Sequence, residues 1–165
     1  MSIQTSYNYQ LKKGTPGGLY DLSPHLIDSR ANGEESKETL KFGMGVVVGA
    51  TPGADVLVPT AASVEADFEG LVVNGGGKEL DMSGILFIQP RQTIDVLRWG
   101  RLWALIVPET EVAYGDPLYL VNDGDNAGMF TNDDGGGANL PINGKFIGGL
   151  GTDNVAPVEI YNQKA

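Results

Sequence analysis

The sequence predicts an all-β protein: a single β-sandwich or small barrel-like domain over residues 41–165, preceded by an extended N-terminal arm over residues 1–40. Three observations carry that prediction. Of 165 residues, 24 are glycine and 9 are proline, and both types interrupt long helices. From Lys41 onward the apolar residues fall in short β-branched runs without helical spacing. Turn clusters separate those runs: Thr51-Pro52-Gly53, Asn74-Gly75-Gly76-Gly77, Asn122-Asp123-Gly124 and Asn143-Gly144. With 41% hydrophobic and 19% charged residues, the chain has enough apolar material for one sizeable core.

The first 40 residues differ from the rest. Tyr7, Tyr9, Leu11, Leu19, Tyr20, Leu22, Leu26 and Ile27 stand singly among polar residues and the breakers Gly14, Pro16, Gly17 and Gly18. No sustained period of 3.6 or 2 runs through them, so the segment builds no core of its own. Its spaced anchors suit an extended arm laid on another surface; a partly disordered terminus or a strand wrapping its own domain is the alternative. Glu34, Glu35 and Glu38 form one helical turn or a polar loop.

The expected strands then follow in order: Phe42–Val48, Val56–Val58, Phe68–Val73, Ile85–Ile88, Thr93–Trp99, Arg101–Val107, Leu118–Val121, Met129–Thr131, Lys145–Ile147 and Val155–Tyr161. The densest is the run over residues 93–107. Leu102, Ala104 and Ile106 alternate with Trp103, Leu105 and Val107, so both faces are apolar and the strand is central. Gly100 interrupts it, which implies a tight reversal or a bulge flanked by Arg98 and Arg101. Val158 and Ile160 alternate with Glu159 and Tyr161, the pattern of a half-buried last strand. Residues 123–144, rich in Gly, Asp and Asn, read as a flexible hairpin or surface loop.

Charge narrows the function. The formal net charge is −10, and residues 109–144 hold Glu109, Glu111, Asp116, Asp123, Asp125, Asp133 and Asp134 without one Lys or Arg. Such a field repels phosphate and argues against nucleic acid as a partner. Cysteine is absent, which removes disulfides, thiolate metal sites and cysteine nucleophiles. No run of about 18 apolar residues marks a membrane span.

Few residues propose chemistry. His25, the only histidine, has Ser23, Asp28 and Ser29 nearby, but a Ser–His–Asp mechanism needs a rigid geometry that sequence proximity does not supply. The stretch Asp123-Gly124-Asp125-Asn126-Ala127-Gly128 begins like a calcium loop. It then places Ala127 at the fifth position and Asp134 at the twelfth, where an oxygen ligand and a bidentate Glu belong; an Asp/Asn/Gly turn explains it without metal. Gly43-Met44-Gly45 and Gly148-Gly149-Leu150-Gly151 lack the spacing and Lys-Ser/Thr ending of a phosphate loop. No catalytic residue, metal or cofactor is expected.

The order of elements resembles the structural cement, or capsid decoration, proteins of tailed bacteriophages. The resemblance rests on Thr15-Pro16-Gly17-Gly18 with Asp21, Lys41-Phe42-Gly43 opening MGVVVG, and Phe68-Glu69-Gly70-Leu71-Val72-Val73. It continues through a hairpin over residues 96–103, Tyr114-Gly115-Asp116-Pro117-Leu118-Tyr119, Asn143-Gly144-Lys145-Phe146-Ile147-Gly148 and Val158-Glu159-Ile160. Residues 122–139 depart from it as a longer insertion. The resemblance implies a non-enzymatic protein, made in the host cytoplasm and carried on the virion exterior. It would bind the outer capsid surface and bridge major capsid proteins as a homo-oligomer, a dimer or trimer. Tyr7, Tyr9, Leu11, Leu19, Tyr20 and Leu22 are the expected capsid contacts.

Two other readings compete. One is a calcium-assisted carbohydrate-binding β-sandwich of a tail or adhesion structure, with Trp99, Trp103, Tyr114 or Tyr119 as a platform and the Asp123 loop holding calcium. The other is a β-barrel hydrolase with two carboxylates, which requires a deep pocket.

Overall fold

A computed structural model describes residues 14–75 and 87–162. Tyr7, Tyr9 and Leu11 therefore lie outside the described residues. The strands are β1 (Leu26–Asn32), β2 (Gly45–Val48), β3 (Asp55–Leu57), β4 (Phe68–Val73), β5 (Thr93–Leu105), β6 (Pro117–Leu120), β7 (Phe130–Thr131), β8 (Leu140–Phe146) and β9 (Val155–Tyr161). The only helical elements among the described residues are three-residue 3-10 turns. The all-β expectation holds.

The strands form one sheet in the order β1-β3-β2-β4-β5-β9-β8-β6-β7, and an additional antiparallel pairing of β1 with β5 closes the first five into a small barrel. The other four extend from the second half of β5. Phe130 returns to the chain just beyond β5 through a bridge with Ile106.

β5 is the shared wall. Its residues 93–99 pair with β1, 95–97 also pair with β4, and 99–105 pair with β9. It separates two apolar clusters. Val46, Val56, Val72, Ile94 and Val96 fill one, while Leu71, Leu97, Leu102, Ala104, Phe130, Phe146, Val158 and Ile160 belong to the other. Adjacent residues of β4, Leu71 and Val72, enter different clusters. Both faces of that strand are thus buried, as its unbroken apolar sequence requires. Each fully buried Leu, Phe or Ile contributes roughly 1.5–3 kcal/mol over the exposed state, so these clusters dominate the fold's stability.

Four expectations change. Gly100 makes no reversal: β5 runs unbroken for 13 residues, so residues 96–103 are one strand and not a hairpin. Gly100 instead has φ 134°, and a Cβ there would sit 2.8 Å from the Cβ of His25. The register against β1 slips where Leu26 pairs with Trp99 but Ile27 with Leu97, a bulge that passes the core-facing role from Leu97 to Gly100 and then Leu102.

Leu26–Asn32, within the stretch expected as an arm, is strand β1 of the barrel. Leu140–Phe146 forms β8, which reaches the strand expected at Lys145–Ile147 but starts five residues earlier, in the stretch read as a flexible hairpin or surface loop, and Asn143-Gly144 is a bulge within it between the pairs Leu118–Ile142 and Pro117–Lys145. The expected strand at Ile85–Ile88 falls partly outside the described residues, and Phe87 and Ile88 are in no strand.

Candidate functional site

The second half of β5 turns Leu102 and Ala104 into the core and Trp99, Arg101 and Trp103 outward. Across the ladder Trp99 pairs with Tyr161, Arg101 with Glu159, and Glu159 in turn with Lys145 of β8. Cross-strand partners share a face, so these side chains form rows on the outside of β5, β9 and β8.

Residues 14–22 lie along this region as a strap. The Gly17 amide donates to the Trp103 carbonyl at 2.8 Å, the Trp103 amide to the Gly18 carbonyl at 2.9 Å, and the Tyr20 amide to the Arg101 carbonyl at 3.1 Å. Leu19 bridges to Leu102 and packs partly on the larger core. The Tyr20 ring covers Trp103, with centroids 5.5 Å apart. Gly43 fits beneath the strap with φ 80°: a Cβ there would lie 2.9 Å from the Gly17 nitrogen and 3.1 Å from the Trp103 carbonyl oxygen.

A charge bridge fastens the end of the strap. Arg101 donates to Asp21 at 2.9 Å and to Glu159 at 3.2 Å. Hydrogen bonds from Ser23 and then Arg101 hold the Asp21 carboxyl below its ordinary value. Burial pushes Glu159 up, but hydrogen bonds from Tyr161 and Arg101 and the nearby Arg101 and Lys145 charges leave it lowered overall. The bond to Glu159, followed by burial, raises the Tyr161 phenol.

Around this bridge the surface is apolar and exposed. Leu22 is 94% exposed and Tyr114 71%, while Tyr20, Leu26 and Tyr161 are also open to solvent. Lys145 sits over the Tyr114 ring, 5.5 Å from its centroid. The face thus combines aromatic and aliphatic surface with paired charges. Of the residues expected from sequence, Leu19, Tyr20 and Leu22 come together here. Leu26, Arg101 and Tyr161 were not singled out as contacts. The outward phase of Glu159 and Tyr161 in the final strand was the signal for one row, and Arg101 beside Gly100 for the other.

The residues of the competing readings are arranged differently. Trp103 lies half-buried under the strap, and Tyr119 sits in β6 between Thr131 and Pro141. Asp123 accepts the Gly124 amide of its own turn at 2.8 Å, and among the described residues no three His, Asp or Glu side chains converge as metal ligands. The Nδ1 of His25 lies 2.9 Å from the Ser23 carbonyl oxygen. Asp28 instead joins Arg30 and Arg98, and Ser29 joins Asp95.

Comparison with known proteins decides the kind of chain this is. Residues 3–161 match the family described as structural cement protein (E217 gp24/Pam3 gp6). The chain belongs to the phage structural cement protein family. A chain of the solved structure described as the capsid of Myoviridae phage XM1 has the same fold, with a TM-score of 0.69, 20% identity and 99% of each chain covered. No curated protein matches the sequence. The cement family is structural and not a family of enzymes, so this chain is a capsid-stabilising protein of the virion that associates with capsid proteins.

Proposed function

We propose that this cement protein binds the outer surface of the phage capsid and bridges neighbouring major capsid proteins, holding the mature head against internal pressure. One observation carries the reading. Tyr20, Leu22, Leu26, Tyr114 and Tyr161 are exposed around the Asp21–Arg101–Glu159 bridge. Clustered exposed apolar surface marks a protein-binding face, and Tyr, Trp and Arg are the residue types that dominate interface energetics. A net charge of −10 disfavours packaged nucleic acid and suits the exterior. Copies that are linked to one another would engage several capsid subunits at once, and effective concentration would raise avidity far above a single contact.

The test is binding of purified protein to expanded mature shells and to unexpanded shells. Saturable occupancy of the mature shell, together with increased resistance to rupture, is expected. Absence of binding to both shells overturns the proposal.

A further inference from the structure

Leu22 is the most exposed large apolar side chain among the described residues, at 94%, yet the loop that carries it is braced on both sides of it. Both oxygens of Asp21 are engaged. Oδ1 accepts the Ser23 amide at 3.0 Å and the Ser23 hydroxyl, and Oδ2 accepts from Arg101 at 2.9 Å. Arg101 is held in turn by Glu159 at 3.2 Å. Beyond the leucine, Pro24 fixes its own φ and keeps Ser23 extended. The Nδ1 of His25 lies 2.9 Å from the Ser23 carbonyl oxygen. His25 then seats over Gly100, where a Cβ would lie 2.8 Å from the His25 Cβ and 3.4 Å from its Cα. The loop over residues 21–25 is thus pinned to two adjacent residues of β5, Gly100 and Arg101, and Leu22 stands between the pins.

The fold gains almost nothing from this leucine, because a solvated side chain buries no apolar area. Ordering the loop around it costs conformational entropy. That ordering is complete before a partner arrives, which is what lets a pre-organised contact bind more tightly than a floppy one.

Given the capsid-binding function proposed above, on which this rests, we propose that Leu22 is a fixed knob that enters an apolar socket on the outer surface of a major capsid protein, with Asp21 and Arg101 as the positioning residues that aim it. The chemistry of the socket follows from the side chain. Leucine has no donor, acceptor or charge, so only an apolar cavity gains from taking it. The base of the knob suits burial as well: the Asp21 oxygens already have partners within the chain, so closing water out leaves neither of them unpaired. A rigid knob selects a socket of matching shape, whereas a flexible apolar surface re-packs against many partners.

The test is a double-mutant cycle on the full-length chain, read as affinity for expanded mature shells. Leu22→Ala is expected to weaken binding about tenfold or more through lost apolar burial. Leu22→Met, which conserves volume, stays within about threefold, and Leu22→Asn loses at least as much as alanine because its amide is buried unpaired. Arg101→Gln is expected to cost about fivefold in the unmodified chain but less than about twofold beside Leu22→Ala, since loosening the loop matters only while there is a knob to aim. Full binding by Leu22→Ala, or equal losses from Arg101→Gln with and without the leucine, overturns the proposal. So does a fall in the light-scattering mass of Leu22→Asn, which makes the occupant a second copy. An unmodified chain that ignores mature shells overturns the cement reading and the knob with it, whereas an unmodified chain that binds beside an equally bound Leu22→Ala overturns the knob alone.

Discussion

The Tyr20 ring lies 5.5 Å from the Trp103 ring, tilted by 52°, so one aromatic pair joins the strap to the outer face of β5. Such pairs add about 0.5–1.5 kcal/mol beyond burial. Tyr20→Ala, in a Trp99→Phe background, is expected to lower stability by about 1 kcal/mol and to shift Trp103 emission to the red with the sheet intact. Unchanged emission would show that the strap does not depend on this contact.

Acid should loosen the same strap. Asp21 has a folded pKa below its ordinary 3.8, so its contribution is complete above that value and is lost as pH falls through the lowered one. Amide exchange at Tyr20 is expected to accelerate only below the ordinary carboxyl range. Arg101→Gln moves the onset up toward the ordinary value. The Tyr161 phenol titrates above its usual 10.0, so its bond to Glu159 persists at pH 10 and is lost as pH rises through the raised pKa.

Gly43 and Gly53 have nearly the same backbone, with φ 80° and 81°, but a Cβ at Gly53 would meet nothing within 4 Å. Gly53→Ala bears only the left-handed strain, which is of order 1 kcal/mol. Gly43→Ala adds a clash with the strap and the Trp103 carbonyl. Urea unfolding should place Gly43→Ala well below Gly53→Ala, and equal midpoints would refute the close approach.

A second charge cluster joins β1, β4 and β5. Asp28 bonds Arg98 at 3.0 Å and Arg30 at 3.2 Å, and Arg30 also lies 3.7 Å from Glu69. The side chains of Arg30 and Glu69 are only 15% and 11% exposed. Breaking a buried pair costs about 3–5 kcal/mol; with Asp28 partly solvated, Asp28→Ala is expected to cost about 2 kcal/mol. Denaturant titration measures it.

Leu22 projects almost wholly into solvent, so Leu22→Asp should leave the thermal midpoint within about 1 °C, as surface changes generally do. If the exposed face grips the shell, this variant loses capsid occupancy by about tenfold or more, because a charge would be desolvated against the partner. Equal occupancy would move the contact elsewhere.

Much of the fold is legible in the sequence where apolar alternation meets one wet and one dry face. Phe68–Val73 and Val155–Tyr161 coincide with β4 and β9 to the residue. β1 is hidden because Asp28, Arg30 and Asn32, one side of the strand, are polar. Their pairing with Arg98, Glu69 and the loop carbonyls of Ile88 and Gln89 appears only in three dimensions. β8 is hidden because Asn143-Gly144 has the composition of a turn yet serves as a bulge. Gly100 mimics a hairpin for the same reason. In the candidate face, Leu19, Tyr20 and Leu22 were readable as isolated anchors. Arg101 was noticed only as a corner residue, since its bridge joins positions 80 and 58 residues apart in the chain.

The passage of β5 through both apolar clusters has a mechanical consequence. A pull entering at Arg101 or Trp103 travels along a strand whose hydrogen bonds lie across its axis, flanked by β1 and β4 at one end and β9 at the other. Many crosswise bonds then resist sliding together, whereas a terminal hairpin would unzip one rung at a time. A clasp built on that strand transmits tension through its body without coming apart at the attachment point.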